Sequence, residues 1–236
     1  AGNIIDGTGL GGSGTWDTTT TNWWDTTNEV AWPNSLFDTA VFTGASGTVT
    51  LGSPISVGTL RFDSSDYVIT GGTLTLGGEG RIEVNGLGRT IGSTGAKATI
   101  GSVIAGTAGL SKEGSGTLVL TNNSNTYTGA TAVKNGTLSI SNMGQLGAST
   151  STVGVFGVSS LGWAGGTLLL QGGTAAGTGL TFNRNLSLSG RGSNTFGTSL
   201  QSIGNNTITG NIVTSSITET RLAATGGTTI INGNVQ

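Results

Sequence analysis

Histidine and cysteine are both absent from the 236 residues. Without imidazole there is no Ser-His-Asp triad, no His-ligated metal and no imidazole proton relay. Without thiols, disulfides, thiolate zinc sites and thiol nucleophiles are excluded. Charge is scarce as well: Asp, Glu, Lys and Arg make up 8% of the chain and the formal net charge is −2, against roughly 25% charged residues in ordinary soluble domains. So small a balance leaves no basic footprint for nucleic acid and no acidic tail. No run of 18 apolar residues exists, so no membrane-spanning segment is expected, and no positive region followed by an apolar stretch opens the chain. The start at Ala1 reads as a processed or excised piece. Proline occurs only twice, so a collagen-like or polyproline chain is ruled out.

Glycine is abundant, at 45 positions. Between the glycines lie short alternating pairs: Val49 and Leu51, Leu60 and Phe62, Leu74 and Leu76, Ile82 and Val84, Leu118 and Leu120, Leu138 and Ile140, Leu186 and Leu188. Each pair flanks one residue that would face outward, the period of a half-buried strand. No segment shows helical periodicity with caps. A Gly-Thr-Leu triplet recurs at Gly58, Gly72, Gly116, Gly136 and Gly166, spaced by 14, 44, 20 and 30 residues. Short strands separated by irregular corners fit stacked coils better than paired hairpins, which favour two-residue turns. The expectation is an all-β solenoid of about ten coils, a rod on the order of 50 Å long at about 4.8 Å per coil.

Two stretches depart from the pattern. Residues 1–40 hold Trp16, Trp23, Trp24 and Trp32 beside the polar run Asp17 to Asn22, and are expected to form an N-terminal cap or irregular first coils. Residues 41–236 are expected to be one continuous β-helix with an irregular insertion at 141–165. From Ile208 to Gln236 strand signals persist at Ile212, Leu222, Ile230 and Val235, with no cap visible.

The stretch from Leu110-Ser111-Lys112-Glu113-Gly114-Ser115-Gly116-Thr117-Leu118 through Asn125-Thr126-Tyr127-Thr128-Gly129 and Thr131 to Gly136-Thr137-Leu138 closely resembles the passenger-associated repeat of bacterial autotransporters. Ala40-Val41-Phe42 and Asn183 to Leu188 look like the flanks of such repeats. The resemblance implies a right-handed parallel β-helix displayed outside the cell, and a structural role for the motif residues. Passenger domains normally continue into a C-terminal membrane barrel, and nothing here has its long amphipathic strands.

Candidate chemistry is thin. Asp63 and Asp66 are spaced to bind a cation with backbone oxygens, but beside Ser64 and Ser65 they read as a turn. Glu79, Arg81 and Glu83 share one outward strand face and read as a solvated ion-pair surface. Gly9 to Gly14 matches G-x-G-x-x-G without the strand and helix that would give it meaning. No cofactor and no metal are expected. Trp16, Trp23, Trp24 and Trp32 remain as the candidate contact surface, since indole faces stack on sugars and dominate protein interfaces, with a packed cap as the alternative. The expected function is a non-catalytic extracellular structural or adhesive rod. Its partner would be a cell-surface or matrix component, or further copies of the chain stacked end to end into a fibre. A polysaccharide-active β-helix enzyme is the remaining alternative.

Overall fold

The computed structural model describes residues 11–85, 95–157, 165–175, 177–192, 197–215 and 219–236. The fold follows from the alternation: inward residues need a partner surface, and each strand finds it by lying parallel on the strand one coil earlier. Among the described residues every strand pairing but one is parallel. The molecule is a parallel β-solenoid with three faces per coil.

The first face stacks nine strands, Gly14–Trp16, Thr48–Leu51, Tyr67–Thr70, Lys97–Ile100, Thr117–Leu120, Gly136–Ile140, Gly166–Gln171, Leu200–Ile203 and Leu222–Thr225. The third face stacks Thr39–Phe42, residues 59–62, residues 81–84, Leu110–Glu113, Thr131–Val133, Val153–Phe156, Leu186–Ser189 and Ile212–Thr214. Between them runs a second face: residues 55–57 and 73–76 and strand Val103–Ala105 in the early coils, then Leu180–Phe182, Asn206–Ile208 and Thr229–Ile231 in the late ones.

Side chains stack in columns because parallel register puts like positions over one another. Leu118, Leu138, Leu168 and Leu200 form one such column on the first face, each essentially buried. Both members of every alternating pair are buried. At about 1.5–3 kcal/mol per buried aliphatic side chain, these columns are the main source of cohesion.

The Gly-Thr-Leu triplets divide between faces. Thr117, Thr137 and Thr167 lie directly over one another on the first face. Gly58-Thr59-Leu60 instead sits at a register shift entering the third face, and Thr73-Leu74 opens the second. Three copies are thus one structural rung, and two are not.

In two successive coils in the middle of the rod the second face has no strand. Residues 121–130 cross it without strand pairing, with Asn125 and Tyr127 buried and Thr126 and Thr128 exposed. One coil on, the 3-10 turn Met143–Leu146 takes its place, opened by Asn142, whose Oδ1 accepts the Gly144 N–H at 2.8 Å. Within 141–165, where an irregular insertion is expected, lie this turn and the strand Val153–Phe156; residues 158–164 fall outside the described residues. Among the described residues no helix is long and apolar enough to cross a membrane.

Candidate functional site

Two places concentrate the side chains that the sequence singles out. The first is the repeat motif. Lys112 follows the inward parity of Leu110, and its slot in the third-face column lies between Ile82 and Val133. It is fully buried. Its Nζ donates to the carbonyls of Glu113 at 2.6 Å, Gly114 at 2.7 Å and Asn135 at 3.0 Å, which uses all three N–H groups of the ammonium. Loss of hydration pulls its pKa down to about 7, with the charges of Glu113 and Glu83 opposing. The cradle closes over Gly136, whose φ is +69°; a Cβ there would meet Lys112 Nζ at 2.7 Å and the carbonyls of Gly114 and Gly116.

Asn125 spans three coils. Its Oδ1 accepts the Ile104 N–H at 2.8 Å and its Nδ2 donates to the Gln145 carbonyl at 2.8 Å. The Tyr127 hydroxyl pairs with Thr131 Oγ1 at 2.8 Å, and burial pushes its pKa up to about 12. Arg184 adds a link from a later coil, donating to the carbonyls of Leu146 and Gly147. Lys112 escapes composition-based reading because lysine is normally a surface residue. Its spacing two residues after Leu110 gives only its inward parity, not the carbonyls that make burial possible.

With this geometry in view, the passenger-associated transport repeat family matches residues 110–140. The chain is also 42% identical over 177 residues to the adhesin BmaC autotransporter of Brucella suis biovar 1 (strain 1330), covering 71% of this chain. The chain thus reads as an autotransporter passenger domain. It spans about 5% of that relative's length. No solved structure matches it. Within the repeat, Lys112, Asn125 and Tyr127 spend their polar atoms on backbone carbonyls, a backbone N–H and Thr131.

The second place is the N-terminal end of the described passenger. Strand Gly14–Trp16 is itself a rung, lying parallel on Val49 to Leu51. After the Asp17 turn the chain forms an antiparallel hairpin, Trp23–Trp24 on Glu29–Val30, with Thr26 at φ +86°. Asp17 accepts the N–H groups of Thr20 and Thr19, which hold its carboxyl down at about 2.

The structure places the four tryptophans differently. Trp16 and Trp32 are buried in the core, and Trp32 Nε1 donates to the Ser56 carbonyl at 2.9 Å. Trp23 and Trp24 are half-buried. Trp16, Trp23 and Trp32 have ring centroids 4.8–5.1 Å apart, and Trp16 passes the contact to Phe42 at 5.6 Å, which stacks on Phe62 at 4.9 Å. All four tryptophans also line an open pocket of about 520 Å³, together with Asn22 and Tyr67. Neither Trp16 Nε1, Trp23 Nε1 nor Asn22 Oδ1 has a hydrogen-bond partner, although each of these atoms is buried.

The other candidates resolve as surface features. Asp63 Oδ1 accepts from Arg61 Nε and Asn85 Nδ2, while Asp66 sits in a left-handed turn at φ +63°. Arg81 pairs with Glu83 and with Glu113 one coil on, and Lys134 pairs with Glu113 and Glu79. The ion pairs therefore run along the rod across successive coils. Of the glycine fingerprint, Gly9 lies outside the described residues, and Gly11 makes a bridge to Ala45.

Proposed function

We infer that this passenger is a non-catalytic adhesive module displayed outside the cell or on its surface, with the β-helix as the spacer and its N-terminal aromatic end as the contact. The observation that carries this reading is the 42% identity over 177 residues to a protein named an adhesin. A cell-surface or matrix component is the partner this favours. The distribution of charge supports a role without catalysis: Glu113, Asp63 and Glu219 are each held in ion pairs with neighbouring Arg or Lys side chains. Paired carboxylates of this kind are poor proton donors or acceptors for glycosidic bond cleavage.

Beads coated with the folded chain, applied to cultured cells and to matrix-coated plates, test the reading. Retention above that of beads coated with an unrelated β-solenoid is expected, with no sugar fragments released from acidic polysaccharides. Equal retention of both bead types would remove the adhesive role, and released fragments would restore the enzyme reading.

A further inference from the structure

We propose that the N-terminal aromatic pocket is a binding site for a neutral saccharide. The inference rests on the reading of this end as the adhesive contact, and names the class of ligand that it takes. Three features of the pocket select that class.

The walls are indole, phenyl and phenol rings, which offer flat apolar faces to the C–H face of a pyranose. Polar atoms without partners stand among them: two indole N–H donors, on Trp16 and Trp23, and one amide acceptor, Asn22 Oδ1. A buried donor or acceptor left unpaired costs about 1–3 kcal/mol. A hydroxyl group satisfies both kinds, because it donates once and accepts twice. The third feature is charge. Among the described lining residues there is no Lys or Arg, and the ionisable ones, apart from the Tyr67 phenol, are Asp25 and Asp38. An acidic sugar would meet carboxylates and no cation.

A quaternary ammonium is the competing occupant, since aromatic cages with nearby carboxylates attract cations. It has no lone pair for the two indole N–H groups, so a neutral polyol accounts for more of the site. The unpaired atoms are shielded from bulk water. Binding therefore includes a side-chain rotation in the half-buried Trp23–Trp24 hairpin, and tryptophan fluorescence should report it.

The test titrates the full chain with cellotetraose, maltotetraose and chitotetraose as neutral probes, 3′-sialyllactose and tetragalacturonate as acidic ones, and tetramethylammonium as the cation, reading fluorescence and calorimetric heat. Saturable binding of at least one neutral probe is expected, at least tenfold tighter than either acidic probe. Trp24→Ala should weaken it at least tenfold. Trp23→Phe keeps a ring but removes one indole N–H, and should weaken it several-fold with the unfolding midpoint little changed. Phe156→Ala, at an exposed ring on the third face, should leave binding unaltered. Preference for tetramethylammonium, equal binding of acidic probes, or binding only after residues 1–10 are deleted would overturn the proposal. If the coated beads adhere to cells while no neutral probe binds, the saccharide assignment falls and the adhesive reading stands.

Discussion

Asn125 accepts the Ile104 N–H through its side-chain oxygen at 2.8 Å, so an amide replaces the strand that is missing from the second face of that coil. Its other end reaches the Gln145 carbonyl on the next coil. Asn125→Leu strands both groups in a dry interior, at about 1–3 kcal/mol each. A loss of about 2–6 kcal/mol in denaturant unfolding is expected. A loss under about 0.5 kcal/mol for the leucine variant would show that the amide carries no weight.

Lys112 sets a dependence on alkaline pH. Its folded pKa, drawn down to about 7 by burial, lies below the ordinary value of 10.5. Between these values the unfolded chain binds a proton that the folded chain does not, so stability rises with pH across the window. Melting temperatures measured from about pH 7 to about pH 10 should climb in the native chain. Lys112→Met should flatten that slope, whatever it does to stability at a single pH.

Tyr127 acts in the opposite sense, and at higher pH. Burial raises its phenol to about 12 from an ordinary 10. The unfolded chain ionises first, so stability falls as pH passes from about 10 toward about 12. Tyr67 is shifted in the same direction by burial and adds to the fall. Tyr127→Phe should remove part of the alkaline loss while costing about 1 kcal/mol at neutral pH through the unpaired Thr131 hydroxyl.

Gly136→Ala is expected to destabilise the chain by at least about 2 kcal/mol, because a left-handed alanine is strained before any contact is counted. The added methyl also enters the Lys112 cradle. Circular dichroism melting of this variant beside Gly226→Ala, where φ is +68° and the space is open, separates the two costs. Equal losses would mean that the cradle tolerates the methyl.

The tryptophans should divide by burial. Trp16→Ala opens a hole in the aromatic core and should cost about 3–5 kcal/mol. Trp24→Ala, on the half-buried hairpin, should cost under about 1 kcal/mol. Urea titrations of the two variants check this, and similar losses would make the hairpin as much a part of the core as the first rung.

The alternation of Leu118 and Leu120, or Leu186 and Leu188, was enough to mark strands because burial on one side leaves a period of two in the sequence. Coil stacking was legible from corner lengths. Which face a strand joins was not: Gly58-Thr59-Leu60 and Gly116-Thr117-Leu118 read alike, and the difference lies in the register shift at Gly58 and in chain segments far away. Lys112 was hidden for another reason. A buried ammonium is decided by three carbonyls that only the folded coil assembles. The tryptophans were visible as a group, but the unpaired Nε1 atoms of Trp16 and Trp23 depend on where the hairpin and its neighbours place their own acceptors.

The rungs at Thr117, Thr137 and Thr167 are alike enough that any one could seat on another, and a strand ladder alone has no means of telling them apart. Lys112 and Asn125 each need particular carbonyls in neighbouring coils. Skipping a coil would take the Asn135 carbonyl from Lys112 and the Gln145 carbonyl from Asn125, leaving buried donors unpaired at about 1–3 kcal/mol each. The polar latch at the centre of the rod thus serves as an address label, giving a repetitive chain one place from which to count its turns.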